Sequence, residues 1–204
     1  MTILVVGSVA YDGLETPFGK KKRILGGAAT HFSASASFFA PVQLVGVVGA
    51  DFDERELDFL KGRGVDLSGL QIEKNGKTFF WKGKYGYDLN EAQTLETRLN
   101  VFAAFNPTLP EKFRQTPYVF LANIDPELQL RVLKQVAKPK FTAMDTMNFW
   151  IQGKKEALLN TLGHVDCLLI NESEARQLAG EYNLTKAFKK IRGWGPKILV
   201  VKQG

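Results

Sequence analysis

A chain of 204 residues, 45% of them hydrophobic and 24% charged, is long enough to bury about 70% of its unfolded surface in one large domain or in one domain with a small appendage. This near-average composition excludes disordered, collagenous and low-complexity classes. The net charge of +6 would suggest a polyanionic partner, but Lys186, Lys189, Lys190, Arg192, Lys197 and Lys202 all follow the last acidic residue, Glu181, and account for the whole excess.

The first element is a strand from Ile3 to Val6, with no basic region before it and too short for a signal peptide or a membrane span. No later apolar run reaches the roughly 18 residues a spanning helix needs. The single cysteine, Cys167, excludes an intrachain disulfide framework, and its Cys-Leu-Leu-Ile setting reads as a buried strand. A soluble, cytoplasmic protein is expected.

After the first strand comes Gly7-Ser8-Val9-Ala10-Tyr11-Asp12-Gly13, then an irregular stretch from Gly13 to Leu25 that is long enough to add a strand or two. Its Lys20-Lys21-Lys22-Arg23 run is read as a solvated turn in preference to a nucleic-acid contact. Gly26-Gly27 opens a helix from Ala28 to Phe39, followed by a strand from Val42 to Val48. A helix from Glu54 to Lys61 begins with Asp53 and Glu56 at capping-box spacing and is stopped by Gly62 and Gly64. Asn75-Gly76, within Leu70 to Tyr87, is a hairpin signal, because both turn positions favour positive φ. Segments of about 13–25 and 70–100 are therefore expected to form a small β lid. Pro107 to Pro117 reads as a polar connection.

The second half repeats a strand-then-helix order. Tyr118 to Ala122, Phe141 to Met144, Cys167 to Ile170 and Ile198 to Val201 are expected strands. Helices are expected over Glu127 to Ala137, Lys154 to Leu162, Glu172 to Ala179 and Leu184 to Arg192. Alternating strands and helices argue an α/β fold, a mainly parallel sheet covered by helices on its faces, with the small β lid standing off it.

Open parallel sheets bind ligands just after their strands. Several cofactor motifs fail there. Gly7 to Gly13 lacks the inner glycines of a dinucleotide fingerprint, and Gly13 to Gly19-Lys20 has the wrong spacing for a phosphate-binding Walker loop. His164-x-x-Cys167 supplies only two of the four ligands of a structural zinc site. No Gly-x-Ser-x-Gly elbow occurs.

Three positions stay open on the residues alone. Asp12 is either half of an Asp-Gly turn or a carboxylate that holds neighbouring hydroxyls. Gly26-Gly27 is either a flexible turn or a place where a ligand or a sheet approaches a helix start. Asn171 with Glu174 is a capping box that needs no ligand, or a strand-end helix start that favours phosphate, with Glu174 recruiting magnesium through water.

Taken in order, five segments resemble the ribokinase-like (PfkB) family of carbohydrate and nucleoside kinases. They are Gly7-Ser8 with Asp12, Gly26-Gly27, Val45-Gly46-Val47-Val48-Gly49-Ala50-Asp51, Asn171-Glu172-Ser173-Glu174, and Val200-Val201-Lys202-Gln203-Gly204. The resemblance implies a three-layer sandwich with a β lid, and magnesium- and ATP-dependent transfer of a γ-phosphoryl group to a hydroxyl of a sugar or nucleoside. It implies that Asp12, Gly26 and Gly27 hold substrate hydroxyls, that Asn171 and Glu174 serve the phosphate and magnesium, and that Gly204 begins the nucleotide side.

The departures fall on acceptor-reading positions. Ala10 and His31 stand where ribokinases carry Asn, and Asp125 stands, with similar spacing, where they carry Glu. His31 and Asp125 are therefore candidates for substrate contacts, and ribose itself is disfavoured. The family's Gly-Ala-Gly-Asp loop, which carries its catalytic base, has no counterpart here. No catalytic base is assigned within the chain, which is expected to be the N-terminal part of a kinase, inactive by itself. The alternative is a non-catalytic sugar- or nucleotide-binding module. Pairing of lids into a homodimer is a further implication, with no nucleic-acid or membrane partner.

Overall fold

The computed structural model describes residues 1–87, 89 and 92–203. In chain order the elements are β1 (Ile3–Val6), β2 (Ala10–Thr16), β3 (Gly19–Gly26), α1 (Ala28–Ala36), β4 (Val42–Gly49), α2 (Glu54–Gly62), β5 (Asp66–Glu73), β6 (Phe79–Tyr85) and β7 (Ala92–Arg98). These are followed by β8 (Tyr118–Leu121), α3 (Pro126–Leu133), β9 (Phe141–Asp145), α4 (Asn148–Gly153), α5 (Lys155–Leu162), β10 (Cys167–Asn171), α6 (Glu172–Ala179), α7 (Leu184–Arg192) and β11 (Ile198–Lys202). The chain divides into two compact units, one of Met1–Val6 with Thr108–Gly204 and one of Gly7–Pro107.

In the first unit the strands run parallel in the order β11-β10-β9-β8-β1. Parallel strands joined by helices are covered on both faces, so they read as continuous apolar runs. Leu4, Val5 and Val6 of β1, Val119, Phe120 and Leu121 of β8, and Cys167, Leu168 and Ile170 of β10 are accordingly buried. The helices fit their sequences locally. Asp125 caps α3 by accepting the Glu127 N–H at 3.0 Å, and Pro126 occupies the first turn, where a missing N–H costs nothing. α7 buries Ala187 and Ile191 and turns Lys186, Lys189 and Arg192 to solvent. Helix α4, which carries no cap of its own, is absent from the sequence reading.

The second unit holds the parallel pair β4–β5, helices α1 and α2, and a separate four-stranded sheet in the order β3-β2-β6-β7. In that sheet β2 pairs antiparallel with β3 and parallel with β6, and β6 pairs antiparallel with β7. Parallel strands with intervening helices, together with a small second sheet, are the expected α/β class.

Two local expectations are corrected. Asn75-Gly76 does not close a hairpin, because β5 before it pairs with β4 and β6 after it pairs with β2 and β7. Neither residue has positive φ. Gly76 is required for another reason: a Cβ there would overlap Cγ1 of Val101, and its carbonyl accepts the Ala50 N–H at 3.0 Å. The start of α2 is not a capping box either. The Asp53 carboxylate accepts the Arg55 N–H at 3.0 Å and pairs with the Arg55 guanidinium at 2.6 Å, while the Glu56 N–H turns to the Asp53 carbonyl.

Candidate active site residues

In the second unit the chain reaches Asp12 through a loop that also builds the start of α1. Ser8 accepts from two backbone donors at the start of that helix, the Ala28 N–H on its hydroxyl at 3.0 Å and the Ala29 N–H on its carbonyl at 3.1 Å. Such contact needs the backbone of residue 27 pressed against residue 8. Gly27 meets the need with φ of 95°, and a Cβ there would overlap the Ser8 carbonyl. Ser8 thus takes two of the backbone donors at the helix start that the sequence left open to a ligand.

Asp12 projects from β2 as a half-buried side chain and accepts a hydrogen bond from the Gly27 N–H. Burial pushes its carboxyl up to about 6, against the opposing effects of His31 and of that N–H. His31 is exposed on the first turn of α1, close enough for its charge to act on Asp12. Tyr85, at the end of β6, is also within reach: burial and the Asp12 charge push its phenol up. Asp12, Gly26, Gly27 and His31 therefore form one neighbourhood around a half-buried carboxylate. Tyr85 is an addition to it that strand periodicity could not have paired with Asp12.

In the first unit the strand ends bring together Asn123, Asp145, Glu174 and Lys202. Gln129 of α3, fully buried, ties these ends by donating from one amide nitrogen to the carbonyls of Leu121, Ala122 and Asp145 at 3.0–3.2 Å. Asp145 ends β9, and its carboxylate accepts from the Asn123 backbone N–H and its own. Burial pushes it up to about 7; Glu174 adds to that shift and Lys202 opposes it. The Asp145 Oδ1 and Asn123 Oδ1 atoms are buried without a hydrogen-bond partner, an arrangement that costs free energy unless another group completes it. Asp145 was available to the sequence reading as a polar residue directly after an apolar strand.

Asn171 and Glu174 make the full reciprocal box: the Glu174 N–H donates to Asn171 Oδ1 at 2.7 Å, and the Asn171 N–H donates to Glu174 Oε2 at 2.9 Å. Burial also raises the Glu174 carboxyl, while the Asn171 N–H and Lys202 oppose the shift. Asp125 is already engaged. One oxygen caps α3 and the other takes the Lys154 ammonium at 2.6 Å. Gly204 lies outside the described residues. Among the described residues no three of His, Cys, Asp or Glu are grouped to hold a metal ion, and no helix is long and apolar enough to cross a membrane.

Solved structures with this fold include the nucleoside kinase of Methanocaldococcus jannaschii, an archaeal member of the ribokinase family. It has a TM-score of 0.73 at 20% identity, with 100% of this chain and 70% of that one covered. The Burkholderia thailandensis nucleoside kinase in complex with inosine gives 0.77 at 14% identity, covering 99% and 70%. In sequence the chain is 28% identical over 208 residues to the cytidine kinase of Thermococcus kodakarensis, spanning 100% of this chain and 73% of that protein. The fold is that of the ribokinase-like phosphotransferases, whose acceptors are sugar or nucleoside hydroxyls. Residues 3–204 match the family described as pfkB family carbohydrate kinase, and the chain belongs to it. Of the two readings the sequence left open, family membership favours the kinase over the non-catalytic binding module.

Proposed function

We propose that this protein uses ATP with magnesium to phosphorylate a hydroxyl of a nucleoside or sugar, with the Asp12 neighbourhood holding the acceptor and the Asp145–Glu174–Lys202 neighbourhood facing the phosphates. The observation that carries the reading is the Asp12 carboxylate, half-buried at the start of a strand beside Gly26 and Gly27. A charge-assisted hydrogen bond contributes roughly 1.5–3 kcal/mol, so two from adjacent hydroxyls would account for about 10²- to 10⁴-fold discrimination in favour of acceptors that present both. On this reading the four-stranded sheet is the lid, from segments of about 13–25 and 70–100, less the few residues of β5 that pair with β4.

The donor set on the phosphate side fits magnesium. That ion is commonly held by one or two carboxylates with the remaining positions left to water and substrate phosphates. Asp145, with an unpartnered buried oxygen, and Glu174 are the carboxylates that would hold it, and Lys202 brings a positive charge for a phosphate. Bound there, magnesium would offset charge on the phosphoryl oxygens. Asn171 keeps the start of α6 in place, and on this reading its effect on phosphate is one of position.

Calorimetric titration of the protein tests both halves. Asp12→Asn should weaken cytidine and ribose by about 10²- to 10⁴-fold and leave ATP–magnesium unchanged, and Asp145→Asn should do the reverse. Equal losses for both ligands in either variant would overturn the assignment.

A further inference from the structure

The four-stranded sheet carries an aromatic feature on the face that bears Asp12. β2 and β6 are parallel and in register from Ala10 beside Phe79 to Glu15 beside Lys84, which puts Asp12 next to Trp81. Side chains alternate along a strand, so Trp81, Gly83 and Tyr85 share the Asp12 face. Gly83 leaves that face bare, and the six-membered ring of Trp81 folds across it: a Cβ at residue 83 would overlap ring atoms Cη2 and Cζ2. The indole N–H donates to the Thr94 hydroxyl at 3.2 Å, and an irregularity in the β6–β7 register brings Thr94 opposite Gly83. Gly83 is buried while Trp81 stays half-exposed. One side of the ring is spent on the backbone, the indole N–H is anchored on Thr94, and part of the side chain stays accessible.

We infer that Trp81, laid over Gly83 and held by Thr94, is a stacking shelf for the base of a nucleoside whose ribose hydroxyls are taken by Asp12. The preferred acceptor is then a nucleoside and not a free sugar. The inference rests on the acceptor reading of Asp12 given above and narrows it. Gly83 lies one strand over and two residues along from Asp12, about 8 Å between Cα positions at ordinary strand spacing and rise, a separation suited to a furanose ring and its attached base. A free sugar held by Asp12 would leave the indole uncovered. Tyr85, the next residue on the same face, lines a shallow cleft with Lys84, Gly86, Ala92 and Gln93, and its phenol adds a polar group to that face. The Asp12 charge acts on the Tyr85 phenol, which places both residues within one ligand's reach.

The test is a calorimetric titration of the protein and its Trp81→Ala, Trp81→Phe and Asp12→Asn variants with cytidine, adenosine and ribose. Base–aromatic stacking predicts that Trp81→Ala weakens both nucleosides about 10- to 100-fold and leaves ribose unchanged, while Trp81→Phe keeps most of the affinity. Fluorescence supplies a readout independent of the alanine variant's folding: nucleosides should quench the wild-type emission, and this quenching should vanish in Trp81→Phe, where Trp150 and Trp194 remain. If Trp81→Ala weakens ribose as much as the nucleosides, or weakens none of the three, the shelf is overturned while an Asp12→Asn loss still upholds the acceptor site. If Asp12→Asn changes none of the three, the acceptor reading falls and takes the shelf with it.

Discussion

The carboxylate of Asp12 occupies the space above the Cα of Gly26, so that a Cβ at residue 26 would overlap both of its oxygens. The register partner of Asp12 across β2 and β3 is Ile24, which makes Gly26 the diagonal neighbour, a distance at which side chains normally meet. Here one of the two is missing and the carboxylate lies across the backbone. Gly26→Ala should therefore displace Asp12 and weaken acceptor binding as severely as removal of the carboxylate does, with an overpacking cost of about 1–3 kcal/mol. Calorimetric affinity and thermal melting measured side by side check this; unchanged acceptor affinity would show that Asp12 has room to move.

The Asp12 site is expected to lower stability at neutral pH. Its carboxyl, pushed up by burial to about 6 from the ordinary aspartate value of 3.8, holds the proton more tightly in the folded chain than in the unfolded one. The associated stability is full below pH about 4 and lost as pH rises through about 6. Asp12→Asn, which cannot ionise, should gain about 2–3 kcal/mol over wild type at pH 8 and little at pH 4. Melting curves across that range provide the check. If Asp12 holds the acceptor as proposed, acceptor affinity of the wild type should fall below pH about 6, where its carboxylate takes up a proton.

Asp145 should behave in the same sense over a wider window. Burial pushes its carboxyl up to about 7 from the ordinary aspartate value of 3.8, so its stabilising contribution is present below pH about 4 and lost as pH rises through about 7. Asp145→Asn should melt higher than wild type at pH 8, with the gain vanishing in acid. Adding ATP and magnesium at pH 8 should narrow the gap, because ligands that bind only the folded wild-type site raise its melting temperature. A gap indifferent to magnesium would assign Asp145 to structure alone.

Glu174 separates capping from ligand binding through two substitutions. Glu174→Gln keeps an oxygen to accept the Asn171 N–H, so the box survives and the melting temperature should hold. Glu174→Ala removes one of the two reciprocal bonds and should cost about 1 kcal/mol. The magnesium dependence of ATP binding should weaken in both variants; if Glu174→Gln leaves it intact, the residue is a cap only.

Much of this arrangement was legible because it is local. Apolar runs at Ile3 to Val6 and Cys167 to Ile170 and the Asn171 and Glu174 spacing act through bonds to neighbours a few residues away, and the chain's order alone carries them, whereas Asp125, read as a substrate contact, proves also to cap α3. Asp12 and Gly26-Gly27 were visible for a related reason: loops after strands of an open sheet are where polar groups and glycines have work beyond packing. Asn75-Gly76 shows the limit of local reading. Its turn chemistry is correct for a hairpin, but the strands on either side find partners in different sheets, and pairing is chosen by whole faces and not by the turn.

Burial and register are properties that sequence spacing does not encode. Asp145 and Asp12 are both acids near strand ends, yet the displacement of their pKa values depends on which groups exclude water from them and which charges, Lys202 and Glu174 or His31, come to stand nearby. Likewise Trp81 and Gly83 look in sequence like one more alternation of a short strand. Only the pairing of β2 with β6 turns both towards Asp12, and only the irregularity opposite Gly83 brings Thr94 to hold the indole down. Side-chain alternation was fixed by the covalent chain, whereas desolvation and the meeting of distant strands arise when the chain folds, because the free energy of a charge or a ring depends on everything that surrounds it.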